Sequence, residues 1–256
     1  MPQDDPQNDR LYRDRELAQF YDLENGWAPD FEYCLQLAKP AGSVLDLGCG
    51  TGQLATRLAT NRSAGGREVT GVDPAAAMLD IARQRPGGDK VTWREADART
   101  VRLGRQFDLV LLTGHAFQAF LTDSDQQAAL ATVAAHLAPQ GRFIFDTRNP
   151  AAGAWRGWVA ESSQRSLMHP QLGRVEAWND ANHDAKTGIV TYETHYRIAS
   201  SERVLSATSK IRFTPHDRLA AILADAGLAV DEWLGDWEGG AYAANSREII
   251  PLGRLA

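Results

Sequence analysis

Val44-Leu45-Asp46-Leu47-Gly48-Cys49-Gly50-Thr51-Gly52 reads as a buried strand that runs into a glycine turn carrying an acid. Glycines at 48, 50 and 52 permit positive φ and close approach of backbone amides to a ligand, as in Rossmann-type loops that open a helix. The spacing is G-x-G-x-G, whereas the dinucleotide fingerprint is G-x-G-x-x-G and holds a pyrophosphate on bare amides. Asp46 stands two residues before the first glycine, where a carboxylate repels a pyrophosphate but suits a cationic ligand. The turn therefore favours S-adenosylmethionine, with its ammonium and sulfonium, over a nicotinamide dinucleotide. Taken alone, the segment leaves open an ordinary tight turn between strand and helix.

Two further strand ends repeat the theme. Arg67-Glu68-Val69-Thr70-Gly71-Val72-Asp73 reads as a second strand ending in an acid, 27 residues after Asp46. In a doubly wound sheet, an acid there can accept two hydrogen bonds from a ribose diol. Pro74 and Met78 open the next helix and offer an apolar wall to one face of an adenine. A third strand, Val91-Thr92-Trp93-Arg94-Glu95, leads to Ala96-Asp97-Ala98, where a carboxylate can accept from an adenine amino group. Each acid alone could be a solvated loop residue or a helix cap, but three at successive strand ends form a pattern.

On these residues the chain resembles the class I S-adenosylmethionine-dependent methyltransferases, over roughly residues 40 to 150. VLDLGCGTG is similar to that family's first motif, GVDP to its second and EADA to its third, with FDLVLLTGHAF at its fourth strand and following loop. The resemblance implies S-adenosylmethionine as cofactor, with Asp46 and the Gly48, Cys49, Gly50 and Gly52 loop beside the methionine moiety. It also implies Asp73 on the ribose, Asp97 and the Ala98 amide on the adenine, and Thr113 and Gly114 along the methionine end. Tyr21, in the N-terminal segment, would meet the cofactor carboxylate, with core packing as the other reading.

Composition sets limits on class. The chain has 256 residues, 43% of them hydrophobic, enough to bury a full core. Its 27 basic against 33 acidic side chains, a net charge of −6, argue against nonspecific nucleic-acid binding, which rests on phosphate neutralisation. Cys34 and Cys49 are the two cysteines, so a disulfide framework is not expected and a reducing cytoplasm is. No apolar run approaches the ~20 residues of a membrane span, and MPQDDPQNDR lacks a signal-peptide core. A soluble cytoplasmic protein is the expectation.

Residues 1 to about 9 read as disordered. Two short helices should follow, the first burying Leu17, Phe20 and Tyr21, the second burying Phe31, Cys34, Leu35 and Ala38 behind an Asp30 cap. After Pro40, strands and helices alternate as a parallel sheet requires, with a helix from Asp123 to about 137 and a fifth strand over 141–146. From about 173 to 213 the period changes to two, which predicts an antiparallel insert of about three strands. Thr214-Pro215-His216-Asp217 then reads as a helix cap with proline at the first helical position, and strands near 228–234 and 247–253 finish the sheet.

The expected fold is α/β: a Rossmann-like, doubly wound, seven-stranded sheet with an N-terminal helical lid and an antiparallel β insert before the last helix. In domain terms, 1–39 is tail and lid, 40–150 and 214–256 the core, and 151–213 a substrate cover or homodimer contact. This arrangement is similar to that of the amino-sugar N-methyltransferases, at the level of architecture.

His115, just after the fourth strand, is a candidate general base or orienting residue; hydrogen bonding to a loop carbonyl is the plainer reading. Candidate substrate contacts are Phe117 and Gln118 in the same loop, Arg148 and Asn149 after the fifth strand, and Trp155, Trp178, Tyr192 and Tyr196 in the insert. Loop stabilisation and core filling compete for most of these. The six histidines form no i, i+4 pair, and no Cys-x-x-Cys, His-Glu-x-x-His or G-x-S-x-G motif occurs, so no metal and no serine nucleophile are expected. The expected activity is in-line transfer of a methyl group to N or O of a small molecule. Two alternatives are a protein that binds the cofactor without transfer and a nicotinamide-dependent oxidoreductase.

Overall fold

A computed structural model of the chain describes residues 9–61 and 66–256. The disorder expected near the start falls on residues 1–8, outside the described part, while Asp9 accepts from the Leu11 amide and caps the first helical turn. Three single turns, α1 (Arg10–Arg13), α2 (Arg15–Ala18) and α3 (Tyr21–Glu24), precede α4 (Pro29–Leu37). The first expected helix is thus broken into separate turns. Asp30 is not the cap of the second: Ala28 holds that position, Pro29 opens the helix and Asp30 lies in its first turn.

The core alternates as the pattern requires: β1 (Ser43–Leu47), α5 (Gln53–Thr60), β2 (Glu68–Asp73), α6 (Ala76–Gln84), β3 (Val91–Glu95), β4 (Phe107–Leu112), α7 (Asp123–His136), β5 (Leu137–Phe145) and β6 (Thr147–Arg148). The insert follows, with α8 (Ala160–Ser163), β7 (Arg165–His169), β8 (Gly173–Asp184), β9 (Ile189–Ile198) and β10 (Arg203–Arg212). The chain ends with α9 (His216–Asp225), β11 (Leu228–Leu234) and β12 (Glu248–Leu255).

The main sheet runs β11-β12-β5-β4-β1-β2-β3, with β6 paired to β12. β12 is antiparallel to both β5 and β11. Central strands such as β4, Phe107-Asp108-Leu109-Val110-Leu111-Leu112, are covered on both faces and so read as nearly continuous apolar runs. Strand order reverses between β1 and β4, and the loops leaving their carboxyl ends part to form a crevice. Because β12 runs the other way, its first residue, Glu248, arrives at this same edge, opposite Arg148.

The insert has four strands rather than three, in the order β10-β9-β8-β7. β7 carries a short, half-exposed alternation with too little apolar contrast to stand out from sequence. Leu17 and Phe20 of the N-terminal segment are buried against Val175, Ala177, Tyr196 and Ile198, and the Phe20 and Tyr196 rings stack at 4.3 Å. Lid and insert therefore share one small core, and burying Phe20 alone is worth roughly 2–3 kcal/mol. Thr214 does not cap α9: Pro215 occupies the cap position, and the Thr214 hydroxyl instead accepts from Gln126 Nε2 at 2.8 Å. Among the described residues no helix is long and apolar enough to cross a membrane.

Candidate functional site

The β1 loop takes its shape from glycines and one indole. Gly48, Gly50 and Gly52 have φ of 73°, 53° and 73°, which L side chains rarely adopt. A Cβ on Gly52 or on Gly71 would sit 2.5 Å from the Trp93 ring, so both positions must be bare for β1, β2 and the indole to close. Asp73 fixes the loop from below, Oδ2 accepting from the Gly50 amide at 2.8 Å and Oδ1 from the Ala75 amide at 2.9 Å. Each oxygen keeps a second lone pair for another donor. Asp22 of α3 accepts from Thr51 Oγ1, Gln53 Nε2 and Arg85, which ties the N-terminal segment to the same loop.

Asp46 is 2% exposed, and burial, reinforced by the charge of Asp73, raises its carboxyl to about 7. No hydrogen-bond donor among the described residues offsets that cost. Burial likewise raises Asp73 to about 6 despite its two amide donors. The Cys49 thiol, pressed beneath Gly71, is pushed well up by burial and stays protonated.

Above these acids lies a cavity of about 860 Å³. Of the residues singled out from sequence, Tyr21, Gly48, Gly50, Asp73, Pro74, Met78, Asp97, Ala98, Thr113, Gly114 and His115 line it. The Tyr21 side chain spans the two diverging loops: a Cβ on Gly50 would lie 3.8 Å from its ring and one on Gly114 3.8 Å from its hydroxyl. Burial and the negative charge of Asp73 hold its phenol well above the usual range, so it is a neutral donor. Asp97 is oriented by Arg99, whose amide and Nε donate to it at 2.8 and 2.7 Å, and Arg99 in turn reaches Asp125. Asp46, Cys49 and Gly52 lie beneath the cavity rather than on its wall.

His115 adopts φ 60°, unusual for a residue with a side chain. The strain is offset by Asp146, whose Oδ1 accepts the His115 amide at 2.9 Å. The ring Nε2 lies 3.1 Å from Glu248 Oε2 and 3.4 Å from Asp146 Oδ2. Asp146 is 1% exposed, and burial pushes its carboxyl upward. Asp30 faces the same group from α4; burial and Asp146 push its carboxyl upward, and its Oδ1 is buried without a partner. Although no linear metal motif is present, the ligand atoms of His115, Asp146 and Glu248 lie within 4.8 Å of one another, close enough to share an ion.

The eight substrate candidates lie off the cavity wall. Phe117 is buried against Phe120 and Phe145. Gln118 is buried, donating to the Arg212 carbonyl and accepting from Arg148, which also stacks on Trp158. Asn149 spends its side chain on the Ala151 amide and the Ala244 and Ser246 carbonyls, pinning the loop before β12. Trp155 packs on His183 and Phe213, Trp178 stacks on His195, and Tyr196 is in the lid core. The Tyr192 hydroxyl meets Tyr12, which itself lines the cavity.

Sequence reading missed Tyr12 and Arg13 of α1, Glu193, and Ser206 to Ile211 of β10, which form the outer wall. It also missed Asp146 and Glu248. Asp146 carried a signal, being a fourth acid at a strand end; Glu248 carried none.

Residues 44–141 match the methyltransferase domain family. The chain is 31% identical over 216 residues to the cypemycin N-terminal methyltransferase of a Streptomyces species, covering 81% of each protein. It is 27% identical to the dTDP-3-amino-3,6-dideoxy-alpha-D-glucopyranose N,N-dimethyltransferase of Streptomyces fradiae, over 84% of this chain and 85% of that one. In fold it is similar to the CcbJ methyltransferase of Streptomyces caelestis, with a TM-score of 0.73 at 22% identity over 91% of this chain and 98% of that one.

Proposed function

Because the chain belongs to the class I S-adenosylmethionine-dependent methyltransferases, we propose that it methylates an amine nitrogen of a small molecule held between the β4 loop and β10. The site fits the cofactor. Asp46 is a buried carboxylate with no donor among the described residues, beside three glycines that open the β1 loop, which suits a ligand bringing an ammonium and a sulfonium. Asp46, the glycine loop, Tyr21, Thr113 and Gly114 would hold the methionine portion, Asp73 the ribose, and Pro74, Met78, Asp97 and Ala98 the adenine. The bound cofactor supplies an electrophilic methyl carbon with a neutral sulfur as leaving group.

The remaining work falls to the chain. Tyr12, Tyr21 and β10 close the cavity, exclude water and hold the nucleophile in line, which converts a bimolecular encounter into an oriented one. An amine attacks only after losing its proton. His115, on the cavity wall next to Thr113 and Gly114 and backed by carboxylates, is placed to take it; that placement is the observation that carries the reading. Asp30, Asp146 and Glu248 favour an acceptor that arrives as a cation. The two relatives named above are an N-terminal methyltransferase and an N,N-dimethyltransferase of an amino sugar, which supports nitrogen over oxygen.

The test is to incubate the protein with S-adenosylmethionine and matched pairs of amino and hydroxyl compounds, sugars and short peptides, and to follow S-adenosylhomocysteine by mass spectrometry. Turnover confined to the amines is expected. Turnover of the hydroxyl partners alone would overturn the assignment.

A further inference from the structure

Two carboxylates converge on one ring nitrogen of His115, at 3.1 Å from Glu248 and 3.4 Å from Asp146. An ionised carboxylate only accepts, so the proton between them belongs to Nε2, and a neutral ring then carries none on Nδ1. Among the described residues Nδ1 has no hydrogen-bond partner, and it is not one of the buried unpaired polar atoms, so it meets solvent. The cavity is the opening on which His115 lies.

Asp146 grips the residue twice. Its Oδ1 holds the amide in the left-handed conformation and its Oδ2 faces the ring, so backbone and imidazole are oriented by one buried side chain. Glu248 comes from the antiparallel strand and closes the other side. Asp30 from α4 faces the ring as well, and Arg148 from β6 acts on Asp146.

We propose that Asp146 and Glu248 are positioning residues that fix His115 as its Nε2–H tautomer and so present an unprotonated Nδ1 to the acceptor. The inference rests on the reading of His115 as proton acceptor. The acceptor ammonium gives its proton to Nδ1 and keeps the electron pair on nitrogen. That pair forms the new N–C bond as the C–S pair returns to sulfur. Glu248, hydrogen-bonded at the shorter distance, is the main acceptor that sets the tautomer; Asp146 orients the residue and adds its charge after proton transfer, when the ring is an imidazolium lying between two anions. The proton then leaves Nδ1 for solvent through the open cavity.

The experiment is ring-nitrogen NMR of ¹⁵N-histidine-labelled protein without substrate, with kcat and cofactor Kd measured in parallel. The native enzyme, Glu248→Gln, Glu248→Leu and His115→Gln are compared. Glu248 is half-buried, so its variants leave the core intact. The native ring should be protonated at Nε2 and bare at Nδ1. Glu248→Gln keeps an accepting oxygen, so it should keep that tautomer and lose about tenfold in kcat with the charge. Glu248→Leu should mix the tautomers and lose about a hundredfold, within the range for a general base. Cofactor Kd should stay within about twofold in both.

A native ring protonated at Nδ1, or native kcat in Glu248→Leu, would overturn the proposal. So would turnover that a chelator abolishes and a divalent cation restores, since the three side chains would then be holding a metal. Native kcat in His115→Gln would instead refute the proton-acceptor reading, and with it the catalytic meaning of the tautomer, while the spectra stand.

Discussion

Cofactor affinity should rise steeply with pH below neutrality, and Asp46 should be the cause. The free protein holds Asp46 near 7 and Asp73 near 6, because burial favours the neutral acids. A cofactor that brings an ammonium and a sulfonium is bound by the ionised forms. Between pH 6 and 7 the ionised fraction of Asp46 grows from about 0.09 to 0.5, and that of Asp73 from about 0.5 to 0.9. The product rises about tenfold, or about 1.4 kcal/mol. The cofactor's own amine stays protonated across this window, so it adds little to the slope. Titration calorimetry in buffers of different ionisation enthalpy should detect the release of between one and two protons per cofactor at pH 6. In Asp46→Asn the slope should shrink to about twofold, the Asp73 share. A flat affinity profile with no proton release would refute the reasoning.

The remaining expectations concern single positions. Asp73→Ala removes a carboxylate that both shapes the β1 loop and faces the cavity, and calorimetry should show cofactor binding weakened by roughly 1–3 kcal/mol. His115→Ala should lower kcat at least about a hundredfold at neutral pH with cofactor Kd unchanged; equal turnover across neutral pH would end the base assignment. Gly71→Ala drives a methyl to within 2.5 Å of the Trp93 ring, and should cost about 1–3 kcal/mol in a denaturant titration. Arg67 is buried and donates to the carbonyls of Ala38, Leu58 and Ala41 at 2.7, 3.0 and 3.1 Å. Arg67→Met strands those acceptors, at a cost of about 3 kcal/mol and a melting temperature lower by about 6–12 °C. Finally, free-chain stability should fall as pH rises from about 4 to 7. Asp46 binds its proton more tightly folded than unfolded, so its contribution is complete below the unfolded value and lost through the folded one, up to about 4 kcal/mol.

What sequence reveals here follows from where the apolar residues must go. β1, β2 and β4 are buried on both faces, so they stand out as short apolar runs, and the acids and glycines at their ends mark the turn where each strand leaves the core. The insert is different, since period-two alternation says which residues share a face but not what that face meets. Tyr196 and Ile198 turn toward Leu17 and Phe20, whereas the cavity is met by the length of β10 from Ser206 to Ile211. Aromatic content was therefore a poor guide to the cavity wall, and Trp155 and Trp178 have histidine partners within the insert instead. The pairing of Asp146 with Glu248 lay beyond local pattern altogether, because it depends on β12 entering the sheet antiparallel beside β5 and β6.

The two ends of the cavity obtain positive charge by different means, and this separates their pH dependences. Beneath the β1 loop, Asp46 has no donor among the described residues, so under the proposed assignment its charge is matched by the cofactor, and the effect of pH falls on cofactor affinity. At the β4 loop, Asp146 and Glu248 already face the imidazole of His115, the proposed proton acceptor. Rates measured at saturating cofactor should therefore lose the dependence carried by Asp46. In Asp46→Asn cofactor KM should keep only the about twofold dependence carried by Asp73, while kcat keeps its native profile. A kcat profile that moved with Asp46→Asn would mean that the buried acid reaches the proton-transfer step, and that the two ends act as one electrostatic unit.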